Sequence, residues 1–84
     1  MFSIEDILVR VRRRPFQPFR IVATSGESLD VTHPELIMVG QTRVIVGRPN
    51  PKRPISFIDT AEVARMHIAA MEDLPAGSPA GEDR

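Results

Sequence analysis

Residues 60–74 read TAEVARMHIAAMEDL, and how they fold decides the class of the whole chain. Their Ala, Glu, Arg and Met favour a helix, and Thr60 is placed to cap one. Read as a strand, the same residues set Met66, Ile68 and Ala70 on one side and Arg65, His67 and Ala69 on the other. Propensity is a weak prior that tertiary context overrides. On its own residues the segment fits either structure, so the surrounding sequence has to choose.

Upstream the signals are clearer. Ser3 is a helix N-cap with Asp6 three residues on, an approximate capping box, and Phe2 can pack on Ile7 as a hydrophobic staple. Ile4, Ile7, Leu8 and Val11 follow the i, i+3, i+4, i+7 spacing of one apolar stripe. Acids in the first turn and arginines in the last suit the helix dipole. This predicts a helix over 4–13, stopped by Pro15, which disfavours helical geometry at Arg14.

The next stretch, RRRPFQPFR at 12–20, joins helix to strand. Pro15 and Pro18 are expected to hold it extended, with Phe16 and Phe19 turned to the core. From Phe19 the period becomes two, and strands are expected over 19–24 and 28–32 around a turn at Gly26. Pro34 breaks the chain at THPE. Short apolar runs predict a second hairpin, 36–39 and 43–47, and ISFID a strand over 55–58 after the proline-rich loop RPNPKRP. The expected core is Ile7, Leu8, Val11, Phe16, Phe19, Ile21, Leu29, Val31, Leu36, Met38, Val44, Val46, Phe57, Met66 and Ile68. The end, 75–84, has no apolar period and is expected to be a disordered tail, leaving one domain over 1–74.

With 84 residues and 42% hydrophobic content, one small domain with a modest core is expected. Such domains often gain stability by oligomerising. There is no cysteine, hence no disulfide or thiolate chemistry. The N-terminal decapeptide MFSIEDILVR carries two acids where a signal peptide needs basic residues, so none is expected, and no apolar run reaches the ~20 residues of a membrane span. A cytoplasmic protein without membrane contact is expected. The formal net charge is zero, which disfavours strong non-specific polyanion binding.

The combination RRRPFQPFRIVATSGESLDVTHPELIMVG resembles a widespread group of small bacterial proteins across most of the chain. The points of likeness are Pro15, Phe16, Pro18, Phe19, Arg20, Gly26, His33, Pro34 and Glu35, with Met66, His67 and Ile68 in the last strand. The group brings no activity with it. The order of elements also looks like that of Sm-like and wider SH3-like small barrels, where an N-terminal helix caps a strongly bent five-stranded sheet. That resemblance implies a mainly β, α+β fold of five to six antiparallel strands. It makes DTAEV a tight turn and 65–71 the closing strand. Bacterial Sm-like proteins bind RNA as rings through a Lys-His pair before the last strand. The nearest match here is Arg65 and His67, separated by Met66.

No nucleophile–base set and no glycine-rich phosphate loop stands out, so the expected protein is not an enzyme and takes no cofactor, metal or evident small-molecule substrate. His33, Pro34 and Glu35 read as a structural turn whose side chains bond nearby backbone. Arg12, Arg13, Arg14, Arg20, Arg48, Lys52 and Arg53 are candidate contacts for nucleic acid or a partner, because arginine suits phosphate and carboxylate alike. Without Trp or Tyr, stacking platforms for single strands are scarce. The leading expectation is a protein-interaction or homo-oligomeric assembly module. RNA binding through the basic face is the alternative.

Overall fold

In the computed structural model, residues 2–50, 52 and 58–75 are described. The capping box closes as the sequence requires. The Ser3 hydroxyl accepts from the Asp6 N–H at 3.0 Å, and an Asp6 carboxylate oxygen accepts from the Ser3 N–H at 2.8 Å. Helix α1 runs Ile4–Val11, with Arg12 as its C-cap, two residues short of the expected end. Its stripe buries Ile7 completely, with Phe2 and Val11 packed beside it.

Six strands follow: β1 Phe19–Ala23, β2 Ser28–Val31, β3 Ile37–Val39, β4 Arg43–Pro49, β5 Ile58–Ala64 and β6 Ile68–Asp73. They form two three-stranded antiparallel sheets, ordered β2-β1-β6 and β3-β4-β5. No ladder joins the two among the described residues, so the expected single bent sheet is divided and there is no closed barrel. The fold is mainly β with one short helix. No helix among the described residues is long and apolar enough to cross a membrane.

The deciding segment is neither a helix nor a tight turn followed by one strand. DTAEV, expected as a turn, lies inside β5, and the expected closing strand 65–71 starts as a 3-10 turn over Arg65–His67 before β6. The cause is tertiary. In β5, Val63 and Ala61 stand opposite Val44 and Val46, whose side chains are fully buried. A helix here would give up that row of interior contacts and the whole β4 ladder. The expected strand over 55–58 survives only in Ile58, since 55–57 and Phe57 with them lie outside the described residues.

A second correction concerns phase. Pro34–Leu36 form a 3-10 turn, closed by the Leu36 N–H donating to the His33 carbonyl at 3.1 Å. β3 therefore begins one residue later than expected, and a shift of one residue turns every side chain to the opposite face. Ile37 and Val39 pack on the core, while Met38, expected inside, is 66% exposed. Met66 is equally exposed, because the 3-10 turn lifts it away from the interior before Ile68 is buried.

The interior lies between the inner faces of the two sheets. Phe19, Ile21 and Ala23 from β1 and Leu29 and Val31 from β2 meet Val44, Val46 and Val63, with Ile7 and Ile68 completing the cluster. Each large side chain here contributes about 1.5–3 kcal/mol through burial. Phe16 packs on Phe19 with tilted rings, centroids 6.2 Å apart. The connector is bent at Arg14 and Pro15, which a cis peptide bond joins, so the expected extended path through both prolines does not run its full length. At its far end the Leu74 N–H donates to the Pro18 carbonyl, and the Gln17 amide donates to the Leu74 carbonyl. The β1–β2 turn depends on Gly26, whose φ of 97° is accessible to few other residues.

Candidate interaction surface

The arginines singled out by the sequence separate into different environments. Arg12 approaches Glu5 at 3.6 Å, both well exposed. Arg14 turns back on the helix end, its Nη1 donating to the carbonyls of Val11 and Arg13. The Val11 carbonyl lies in the last turn of α1 and lacks an intrahelical partner, so this is a C-terminal cap by a cation. Arg13 reaches across to the end of β6 and grips Asp73 with two hydrogen bonds, 2.9 and 3.3 Å. That fork holds the Asp73 carboxyl below its ordinary value of 3.8, chiefly through the hydrogen bond and then through the charge of Arg13. The helix is thereby tied to the last strand.

Arg20 sits at the centre of the first sheet's outer face. Its register partners are Asp30 on β2 and Glu72 on β6. Nε and Nη2 bind both Asp30 oxygens, at 2.7 and 3.2 Å, and the resulting stabilisation of the cation raises the Arg20 pKa, with a smaller push from Glu72. Planar two-point pairing of this kind is the strong form of an ion pair. Arg20 is thus built into a row of charge across three strands.

The remaining basic candidates belong to the second sheet and its loop. Arg48 lies opposite Asp59, whose carboxylate accepts from the Asn50 amide at 2.8 Å. Asn50 also accepts the backbone N–H of Lys52 at 2.9 Å, an Asx turn at the start of the proline-rich loop. Lys52 is exposed. Arg53 lies outside the described residues.

His33 precedes the 3-10 turn and makes no capping bond; its Nδ1 lies 3.1 Å from the Thr32 hydroxyl. Pro34 is half-buried and Glu35 exposed. The expected side-chain bonds from this unit to nearby backbone are not among the described contacts, and the turn rests on backbone hydrogen bonding. His67 contributes its carbonyl, which accepts from the Thr24 N–H at 2.8 Å. Among the described residues no three His, Asp or Glu side chains come together as metal ligands would.

The surface that sequence reasoning missed is the outer face of β3-β4-β5. The phase shift puts Met38 there, directly opposite Ile45, which in turn faces Glu62. Two residues along β4, Gly47 leaves bare backbone on the same face. A methyl group at Gly47 would come within 3.1 Å of Ile58 and 3.5 Å of Leu36, so these two side chains close over the bare backbone. Ile58 nevertheless stays 46% exposed. Leu36, Met38, Ile45 and Ile58 form an apolar field, edged by Thr60 and by the Arg43–Glu62 pair at 2.9 Å. Recognising the Pro-Glu-Leu turn as helical would have revealed it, because the turn alone sets the phase of β3.

Compared with protein families, with curated proteins and with solved structures, the chain matches none.

Proposed function

We propose that this domain is a non-catalytic interaction module that assembles with itself or another protein, built on an open variant of the SH3-like or Sm-like small barrel. The order of elements supports the architectural part. A helix precedes β1; β2 bends through a 3-10 turn into β3; and a second 3-10 turn separates β5 from β6. The observation that carries the functional part is the apolar field of Leu36, Met38, Ile45 and Ile58 on the outside of the second sheet. Large apolar patches on a soluble domain mark contact sites, and here exposed Met38 and Ile58 lie beside half-buried Leu36 and Ile45. Binding RNA through the arginines has weaker support, because Arg13 and Arg20 would first have to leave Asp73 and Asp30.

Sedimentation velocity over a dilution series, with and without a mixed pool of short RNA and DNA, tests this reading. Assembly that Met38→Lys abolishes, with circular dichroism unchanged, is the expected result. A monomer at every concentration that gains mass only with nucleic acid, more so at low salt, would replace the interaction reading with nucleic-acid binding.

A further inference from the structure

We infer that the free edge of β5 is a self-pairing edge, joining two copies antiparallel about a twofold axis at Ala61 into one six-stranded sheet. The inference rests on the assembly reading above and specifies its geometry. Four strands are sheet edges among the described residues: β2, β6, β3 and β5. Exposed edges are normally blunted by shortness, charge, proline or bulges. β3 has three residues and β2 four, with Asp30 clamped by Arg20. β6 carries a register shift against β1 and ends in Glu72 and Asp73. β5 is the longest of the four among the described residues, and its two acids are already engaged within the chain, Asp59 by Asn50 and Glu62 by Arg43. It runs seven residues, Ile58–Ala64, in unbroken register with β4, and contains neither proline nor lysine.

Register selects the axis. In a twofold antiparallel pair, opposed residues must point to the same face, so the axis passes through a residue. An axis at Glu62 sets two glutamates against each other, which is unfavourable. An axis at Thr60 leaves Val63 and Ala64 unpaired. An axis at Ala61 pairs all seven residues without opposing like charges. Ile58 then meets Ala64 of the second copy, Thr60 meets Glu62, and Asp59, already held by Asn50, meets Val63. The half-exposed Ile58 gains an apolar neighbour, and the two outer apolar fields lie on one continuous sheet.

Charge at Thr60 tests the register directly. Thr60 is exposed, so a longer side chain there fits the monomer. Thr60→Glu sets a like charge opposite Glu62 twice per dimer and should weaken association about tenfold, whereas Thr60→Lys should tighten it by a similar factor. A general edge effect would make lysine the more disruptive of the two. Since the chain has no cysteine, disulfides provide a second readout. Opposed residues lie about 4.5–5.5 Å apart between Cα atoms, within disulfide reach, and adjacent pairs alternate between the closer and wider spacing. Ala61→Cys, or Thr60→Cys mixed with Glu62→Cys, should therefore cross-link under mild oxidation, and Ala69→Cys on β6 should not. An assembly in which Glu and Lys at position 60 act alike, or which cross-links only through Ala69→Cys, overturns the β5 pairing and leaves the assembly reading standing. A wild-type chain that is monomeric at all concentrations overturns the β5 pairing and self-assembly together, leaving only a contact with another protein.

Discussion

The two sheets have similar interiors and opposite exteriors. Across the middle of the first runs Asp30–Arg20–Glu72; across the second runs Met38–Ile45–Glu62. Inside, both rows sit over the same cluster of Phe, Ile, Leu and Val. Outside, the first sheet pairs Arg20 with Asp30 within the chain, and the second leaves the side chains of Met38 and Ile58 facing water. Covering the exposed apolar groups of the second would release free energy, whereas the charges of the first favour contact with water. On the interaction reading proposed above, the contact surface is therefore the apolar face and not the charged one. Most of its basic groups are structural ties, among them Arg13 to the last strand and Arg20 to its hairpin partner.

This contrast can be broken at three levels. The strongest test removes the shared interior. Phe19 belongs to the first sheet and is fully buried, so Phe19→Ala should cost about 3–5 kcal/mol, a large part of the stability of a domain this small. Urea denaturation followed by circular dichroism and by an amide probe in β4 should show both sheets melting together. Separate transitions would mean that the sheets are independent units and that comparing their faces is beside the point.

A smaller effect distinguishes the exteriors. Arg20→Ala should cost about 1 kcal/mol or less, as a partly solvated pair does, while Ile45→Ser, at a half-buried position in a central strand, should cost about 1 kcal/mol and also weaken association. Paired denaturation and sedimentation measurements on the two variants would check this. If Arg20→Ala affected association and Ile45→Ser did not, the roles of the two faces would be reversed.

The smallest expected effect is in acid. Hydrogen bonds from Ser3 hold the Asp6 carboxyl below 3.8, as Arg13 does that of Asp73. A depressed folded-state pKa stabilises above the unfolded value, and that contribution is lost as pH falls through the still lower folded value. Stability should thus be insensitive to these groups from neutral pH down to about 4, then decline below it. Amide exchange should show the start of α1 and the end of β6 loosening before Val46 of the second sheet. Loosening of β4 first would place the acid-sensitive contacts elsewhere.

Much of the first sheet was legible. The Ser3–Asp6 box, the period change at Phe19 and the glycine turn are local signals, and they locate α1, β1 and β2 to within two residues. β5 was not legible. Asp59, Ala61, Glu62 and Ala64 are poor strand formers, and only their pairing with β4 makes them a strand. The candidate surface was hidden for a related reason. A turn of three residues inverted β3, so Met38 passed from expected core to open face. The Arg20–Asp30 pair could have been read from the hairpin register. The Arg13–Asp73 contact spans 60 residues, and no local pattern announces it.

The two sheets also differ in how they are threaded. The second is assembled from neighbours in sequence, β3, β4 and β5, and each pairing closes a short loop. The first takes β1 and β2 from near one end of the described chain and waits for β6, with Phe19 opposite Asp73. A polypeptide leaving the ribosome can therefore complete the sheet that carries the apolar field while β1 still has one side bare. Closing the longer loop carries the larger entropy cost. In pulse-labelled refolding, the β6 amides should be the last to gain protection, and until then the nascent chain would display two sticky surfaces at once.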